Sequence, residues 1–415
     1  PTSGSGAWLQ AGDVALLKVA IIADDLTGLN AVAVEFKRMG HRVRVCMNND
    51  DLELAAKDCD VLGIDTNSRA IDPDIAHKTV YCATRSFIPL CPSIVMKQTD
   101  SSLHGNIASE LRAVLEASSE KCLVFAPACP SQGRFTRQGA YIERDVHGFQ
   151  KRDIKTLFAS DNDLTLQAVP TRSCIPKPVV GRHITICDAD TDSDMDHIVS
   201  NALSSGHTLF GGSVGLAKAL GRHLWIRETN RHPPVLLIIG SLQKPTQIQR
   251  DILNKMENTE LFNLTENSTV DLSGSIIRSL QSGKHAIISV SAGSWGLLQT
   301  NEYPYLDRST RKKIDAALRR VAGNVLNTCC DVISGVLVAG GATSEIVARD
   351  VLGIHRFENF EYLDDGVAAG MAMYDSNKLM PFVTKAGTWG SDDVLLRAVL
   401  WMQKAYCKAI KMEKN

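Results

Sequence analysis

Five apolar residues, Val19 to Ala23, run directly into two acids, Asp24 and Asp25. Next comes a segment whose apolar residues Leu29, Val32, Ala33 and Phe36 recur at helical spacing. An unbroken apolar run of strand length suits a strand covered on both faces, as in a parallel sheet. Parallel neighbours need a crossover, and a helix follows at once. The stretch therefore restricts the chain to an open α/β arrangement. It also places the two acids at the carboxyl end of a strand, the edge where such sheets bind ligands. A structural reading competes, because carboxylates after a strand cap the next helix and suit its dipole. One acid is enough for a cap; two acids followed by Thr27 and Gly28 are more than a cap needs.

The alternation continues. Strands are expected at 42–47, 60–65, 93–96, 122–126 and 184–188, with helices at 74–86, 107–117 and 192–203. Residues 135–182 are less regular and read as an excursion from this pattern. A glycine-rich stretch, 208–215, leads into a helix to about 225. Residues 227–234, polar and ending in Pro233-Pro234, read as a linker. A second series then begins, with strands at 235–240, 286–291 (running into Gly293) and 335–339. Its helices fall at 309–329, from Gly340 to near Gly353, and to about 406. The fold class is α/β, in two domains, each a largely parallel sheet flanked by helices. The divisions are a tail or cloning scar at 1–16, a first domain at 17–226, the linker, and a second domain at 235–415.

The formal net charge of −1 removes any overall basic field that would draw nucleic acid or an anionic membrane surface. No apolar run reaches the roughly 18 residues of a membrane span. The first residues, Pro-Thr-Ser-Gly-Ser-Gly, lack the charged and apolar regions of a signal peptide. The 11 cysteines include no Cys-x-x-Cys pair, which suits free thiols in a reducing cytoplasm.

Four strand ends of the first half carry charged or polar groups: Asp24/Asp25, Ser68/Arg69, Lys97/Asp100 and Gln132/Arg134. If the strands are parallel, these ends share one edge and line a pocket of facing acids and bases. The second half has Gly and Ser at its strand ends instead: Gly240-Ser241, Gly340-Gly341-Ala342-Thr343 and Gly387. Glycines let backbone N–H groups approach a phosphate, although tight turns need glycine anyway. Neither a P-loop nor a Gly-x-Gly-x-x-Gly fingerprint occurs. Gly211-Gly-Ser213-Val-Gly215 matches a nucleophile elbow and raises a serine hydrolase with His285 or His355 as base. Histidine clusters are absent, so no protein-ligated metal is expected.

Taken in order, these motifs resemble the four-carbon acid sugar kinase family, which includes threonate, erythronate and 3-oxo-tetronate kinases. The matching runs are Ile21 to Gly28, Asp65 to Arg69, Lys97 to Asn106, Ala126 to Arg134, Asp188-Ala-Asp190, Gly240-Ser241 with Thr246 and Gln249, Gly340 to Thr343, and Lys385-Ala-Gly387. The resemblance implies an N-terminal sugar-acid-binding domain and a C-terminal nucleotide-binding domain. Asp24, Asp25, Arg69, Lys97, Asp100, Asn106 and Arg134 would line the acid pocket, with Asp25 or Asp24 as the base that receives the hydroxyl proton. Arg69 would hold the substrate carboxylate in a bidentate fork, beside Lys97 as a point charge. Ser241, Gly340, Gly341, Ala342, Thr343 and Gly387 would hold ATP, with Mg2+ bound mostly through phosphates and water. The chain departs from the family's pattern at Leu29 to Val32, at Gln98-Thr99, at His104, where an arginine is usual, and at Gly387-Thr-Trp-Gly390.

The reading that follows is an ATP-dependent kinase acting on the terminal hydroxyl of a D-threonate- or D-erythronate-type acid. Its partner is that small molecule, with no nucleic acid and no membrane, and a homodimer is the prior expectation. A non-catalytic sugar-acid sensor is the alternative, ahead of the hydrolase using Ser213.

Overall fold

The computed structural model describes residues 17–49, 51–57, 59–145, 148–159, 163–176, 181–265, 270–291, 295, 307–375 and 378–413. The expected tail at 1–16 and Gly293 lie outside the described residues. Two compact units divide the chain. One comprises residues up to 37 with His41–His223, and the other Arg38–Gly40 with Leu224–Asn415.

The first unit contains β1 (Val19–Ala23), α1 (Leu26–Arg38), β2 (Val43–Cys46), α2 (Leu52–Ala56), β3 (Val61–Asp65), α3 (Pro73–Phe87), β4 (Ile94–Gln98), α4 (Ile107–Ala117) and β5 (Cys122–Ala126). A small excursion, β6 (Arg134–Arg137), β7 (Ala140–Asp145) and β8 (Gly148–Asp153), follows. The unit ends with β9 (Leu164–Val169), β10 (Arg182–Cys187), α5 (Asp192–Ser204), β11 (Leu209–Gly212) and the start of α6 (Val214–Thr229). Eight of these strands form one sheet in the order β2-β3-β1-β4-β11-β5-β10-β9, parallel throughout.

Every residue of β1 is buried, as its unbroken apolar run requires. Leu29, Val32, Ala33 and Phe36 form the buried stripe of α1. Truncating one such side chain, Phe36 for example, costs about 3–5 kcal/mol because the tight core does not refill the void. Leu29 and Val32 face the core rather than the strand-end pocket, while Asn30 and Ala31 are exposed. Strand order places β2 and β3 on one side of β1 and β4 on the other. The chain reverses direction across the sheet there, which opens a crevice at the carboxyl ends of β1 and β4.

The irregular stretch after residue 134 contains a three-stranded antiparallel sheet, β6-β7-β8. Its sequence shows no clean alternation because both faces are used. Arg134, Tyr141, Glu143 and Arg152 share one face by register, and Ile142 and Lys151 the other. The first face leans on the loop after β4: Tyr141 Oη donates to Ser101 O at 2.8 Å, and Arg152 Nη1 to Leu103 O at 3.3 Å. Asp188, just past β10, anchors the β6–β7 turn by accepting from the N–H groups of Gln138 (2.7 Å) and Gly139 (3.0 Å).

The second unit runs β12 (Leu236–Ile239), α7 (Lys244–Asn254), β13 (Thr259–Leu264), α8 (Val270–Gln281), β14 (His285–Val290), α9 (Arg308–Cys329), β15 (Val336–Ala339) and α10 (Gly341–Glu345). A π-helical stretch, Ile346–Val351, continues α10. Then come β16 (Arg356–Asp364), β17 (Val367–Tyr374), β18 (Lys378–Lys385) and α11 (Val394–Glu413). The sheet order is β13-β14-β12-β15-β18-β17-β16, with β17 antiparallel to both neighbours and the remaining pairs parallel. The antiparallel edge went unread in the sequence because β16 is largely exposed and broken by irregular register. In this unit the reversal point lies between β12 and β15. No described helix is long and apolar enough to cross a membrane.

Candidate functional site

In the first unit the site is built at the β1–β4 crevice. Asp24 and Asp25 leave β1, and Arg69 arrives from the loop after β3. The Arg69 guanidinium grips Asp24 with both ends, Nε to Oδ2 at 2.8 Å and Nη2 to Oδ1 at 3.0 Å. Its Nη1 reaches Asp25 Oδ2 at 2.7 Å. The backbone locks the same contact, because Asp24 O accepts from the N–H groups of Ser68 (2.9 Å) and Arg69 (3.3 Å). Asp24 is 1% exposed, whereas the Asp25 side chain is 28% exposed. The capping reading also holds: Asp25 Oδ1 accepts from Gly28 N–H at 2.7 Å. Gly28 lets these side chains close in: a Cβ there would stand 2.3 Å from the Gln98 amide and 2.6 Å from Asp25 and would displace them.

Arg69 therefore differs from the fork expected for a substrate carboxylate, since all of its hydrogen bonds go to Asp24 and Asp25. Lys97 differs as well. It is fully buried, with Nζ 2.9 Å from Glu110 Oε2, a carboxylate that is itself 1% exposed. Glu110 Oε1 accepts from Ser68 Oγ at 2.5 Å, and Ser68 contacts Thr66 Oγ1 at 2.8 Å. Strand alternation explains the placement. Lys97 turns towards α4, and its neighbour Gln98 turns towards Asp24, whose N–H it accepts at 3.3 Å. Glu110 carries no functional signal in the sequence, because an acid in the first turn of a helix reads as an ordinary partner of the helix dipole.

Asp100 and Asn106 shape loops. Asp100 Oδ2 accepts from the N–H groups of Ser102 and His104, each at 3.2 Å, and lies 2.8 Å from His104 Nδ1. Burial raises the Asp100 carboxyl, but these hydrogen bonds and the nearby Arg69 charge outweigh it and hold the group below the usual carboxylate range. Asn106 Nδ2 donates to Ser68 O at 2.9 Å and Ile71 O at 2.8 Å, tying the Arg69 loop to the start of α4. Arg134 donates from Nε to Glu143 Oε1 at 2.9 Å and from Nη1 to Ser101 Oγ at 2.7 Å and Gln132 Oε1 at 2.8 Å. Its Nη2 has no hydrogen bond among the described residues. Ser101 and Glu143 are thus site neighbours that the motifs did not single out.

In the second unit the glycine and serine loops meet at the β12–β15 reversal. Ser241 N–H donates to Ala339 O at 3.2 Å, and Gly340 N–H to Lys385 O at 2.9 Å. Gly340 has φ +112, a backbone region open to glycine. Gly341, Ala342 and Thr343 then open α10, and Ser344 Oγ bonds back to Gly340 O at 3.0 Å. Gly387 lies against Ser241: a Cβ there would come within 2.4 Å of Ser241 Oγ. Thr246 Oγ1 donates to Gly387 O at 2.6 Å and accepts from the buried Lys385 Nζ at 2.8 Å. Gln249 Nε2 holds the next turn through Gly390 O at 2.8 Å and Ser391 O at 3.0 Å.

Ser213 is buried, its hydroxyl 3.4 Å from Pro127 O. His285 lies in the core of the other unit, where its Nδ1 accepts from Val235 N–H at 3.1 Å. The elbow motif marks a strand-to-helix turn without an accessible nucleophile. Among the described residues no cluster of three or more His, Cys, Asp or Glu is placed to hold a metal ion.

Two family models match the chain: a sugar-binding N-terminal domain over residues 19–165 and a nucleotide-binding C-terminal domain over 236–395. The chain is 28% identical to a D-threonate kinase of Salmonella typhimurium, across 94% of this chain and all of that protein. It is 25% identical to a D-erythronate kinase of Heliobacterium modesticaldum, across 92% of this chain and 96% of the relative. In fold it is similar to a Bordetella bronchiseptica protein crystallised with citrate as a domain-swapped dimer. That likeness has a TM-score of 0.57 and 21% identity, and covers 93% of this chain and 98% of that one.

Proposed function

The chain belongs to the four-carbon acid sugar kinase family, and from that premise we propose that it transfers the γ-phosphoryl group of ATP to the terminal hydroxyl of a D-threonate- or D-erythronate-type acid. The observation that carries the residue assignment is the unequal placing of Asp24 and Asp25 around one arginine. Both Asp24 oxygens are taken and the group is buried, so it anchors Arg69. Each Asp25 oxygen also has one partner, Gly28 N–H and Arg69 Nη1, but its side chain is 28% exposed and within reach of a substrate, and we assign it the role of base.

In the step, the Asp25 carboxylate takes the proton of the attacking hydroxyl. The hydroxyl oxygen bonds to the γ-phosphorus, the bond from that phosphorus to the β-bridging oxygen breaks, and ADP leaves with the bridging electrons. Arg69 offsets the charge of two adjacent acids and fixes Asp25 in place. A substrate carboxylate set against Asp24, Asp25 and Asp100 would be repelled, so the acid's hydroxyl end faces them. The carboxylate end belongs at Arg134, where Nη2 is open and Ser101 stands beside it. Ser241, Gly340, Gly341, Ala342, Thr343 and Gly387 would cradle the nucleotide. A magnesium ion carried by ATP would be held through phosphate oxygens and water, which suits a site with few carboxylates.

The test is ADP formation with D-threonate, D-erythronate, L-threonate and 3-oxo-tetronates. Turnover of a threonate or erythronate is expected; folded protein that binds an acid by calorimetry without consuming ATP would establish the sensor instead. The homodimer is checked by light scattering.

A further inference from the structure

Among the described residues two lysines are almost wholly buried, and they differ in one respect. Lys97 has Glu110 as counter-ion at 2.9 Å. Lys385, 2% exposed at the end of β18, has no carboxylate within ion-pair distance among the described residues. Its Nζ donates to two neutral oxygens, Thr246 Oγ1 at 2.8 Å and Ala386 O at 2.9 Å. An ammonium removed from water without a counter-charge is costly, and such groups normally acquire a partner.

The surroundings indicate which partner. Lys385 touches the Gly340 turn, leads into the Gly387 turn, and reaches the start of the helix that follows Ser241. Its carbonyl accepts from Gly340 N–H at 2.9 Å, its ammonium holds Thr246 in the first turn of α7, and the next residues are Ala386 and Gly387. Thr246 in turn donates to Gly387 O at 2.6 Å. A buried cation among glycine turns and helix starts is the chemistry that receives phosphate oxygens. We propose that Lys385 is a phosphate-binding residue of the nucleotide site, its ammonium neutralised by the polyphosphate of ATP. This deepens the kinase reading and rests on the nucleotide lying at the β12–β15 loops.

Burial holds the Lys385 ammonium down to about 8, against a small opposing pull from Asp364. Asp364 is itself engaged by Arg397 of α11, which also pairs with Asp393 at 3.3 Å. Phosphate supplies what these groups do not, so ATP favours the protonated lysine.

The experiment is calorimetry on the full chain with magnesium-ATP and with adenosine, from pH 7 to pH 10, on wild type and Lys385→Met. Lys385→Met is expected to weaken ATP about tenfold or more and adenosine by less than about twofold. Wild-type ATP affinity is expected to fall above about pH 8 while adenosine affinity stays level, a readout that needs no variant to fold. The proposal is overturned if the variant binds ATP as tightly as wild type, if it loses ATP and adenosine equally, or if wild-type ATP affinity is flat across the range. Wild type that binds no ATP at any pH would sink the nucleotide reading itself, a result distinct from all three.

Discussion

The Arg69 guanidinium spans the Asp24 carboxylate with two hydrogen bonds, at 2.8 and 3.0 Å, and Asp24 is 1% exposed. One partner of the pair is fully buried, so removing the other leaves an uncompensated charge. Arg69→Met is expected to destabilise the first unit by about 3 kcal/mol or more. Asp24→Asn should cost somewhat less, because it keeps shape and one acceptor. Urea denaturation measures both, and wild-type midpoints would remove the anchoring role given to Asp24.

Asp25 calls for the opposite outcome. Asp25→Asn retains an oxygen to cap Gly28 N–H but turns its amide nitrogen towards Arg69 Nη1, a part-exposed contact, so the stability loss should be about 1–2 kcal/mol, smaller than for Arg69→Met. Turnover should fall by a factor of about 100 or more as the base is lost, with little change in KM for the acid. Steady-state ADP release checks it; unchanged kcat would move the base elsewhere.

Arg134→Gln should raise KM for the sugar acid by about 10- to 100-fold, the loss of one charge-assisted contact, and leave KM for ATP level. An unaltered acid KM would place the substrate carboxylate away from Arg134.

The Lys97–Glu110 pair is closed off from solvent on both sides. Glu110→Gln should cost about 3–5 kcal/mol by stranding the lysine charge, while the double variant Lys97→Met, Glu110→Leu should recover most of that. A double-mutant cycle by chemical denaturation decides. Recovery is the sign of an ion pair whose desolvation nearly cancels its attraction.

Lys385 makes stability depend on pH. Its folded value, about 8, lies below the ordinary 10.5, so the unfolded chain binds more protons between these limits. Stability therefore rises as pH rises from about 8 to about 10.5, by on the order of 3 kcal/mol in the absence of nucleotide. Below pH 8 the whole penalty is present, and Lys385→Met should remove it and flatten the profile. Thermal midpoints across that range, without ATP, provide the measurement.

Much of the architecture is legible in the sequence. Val19 to Ala23 specified a doubly covered strand because no residue in it tolerates water, and the stripe from Leu29 to Phe36 specified the helix laid over it. The helix at Ile107–Ala117 and the strand at Cys122–Ala126 match their expected bounds to the residue, the helix through its apolar period and the strand through its unbroken apolar run. The strands β6–β8 and β16 are not legible there, because exposed or two-faced strands lack such a pattern; β17 is buried, and its antiparallel place depends on pairing with β16 and β18. Asp24, Asp25 and Arg69 were legible as neighbours at one edge once the strands were taken as parallel.

What the sequence by itself determined is the set of strand-end residues and the order in which they meet one edge, because local period and chain reversal follow from side-chain polarity. What only the tertiary structure decided is the electrostatic state of each: Arg69 held by two acids, Lys97 sealed against Glu110, and, among the described residues, Arg134 open at Nη2 and Lys385 buried without a counter-ion. Polarity is a property of one residue, but charge compensation belongs to pairs such as Lys97 and Glu110, brought into contact only when the chain is packed.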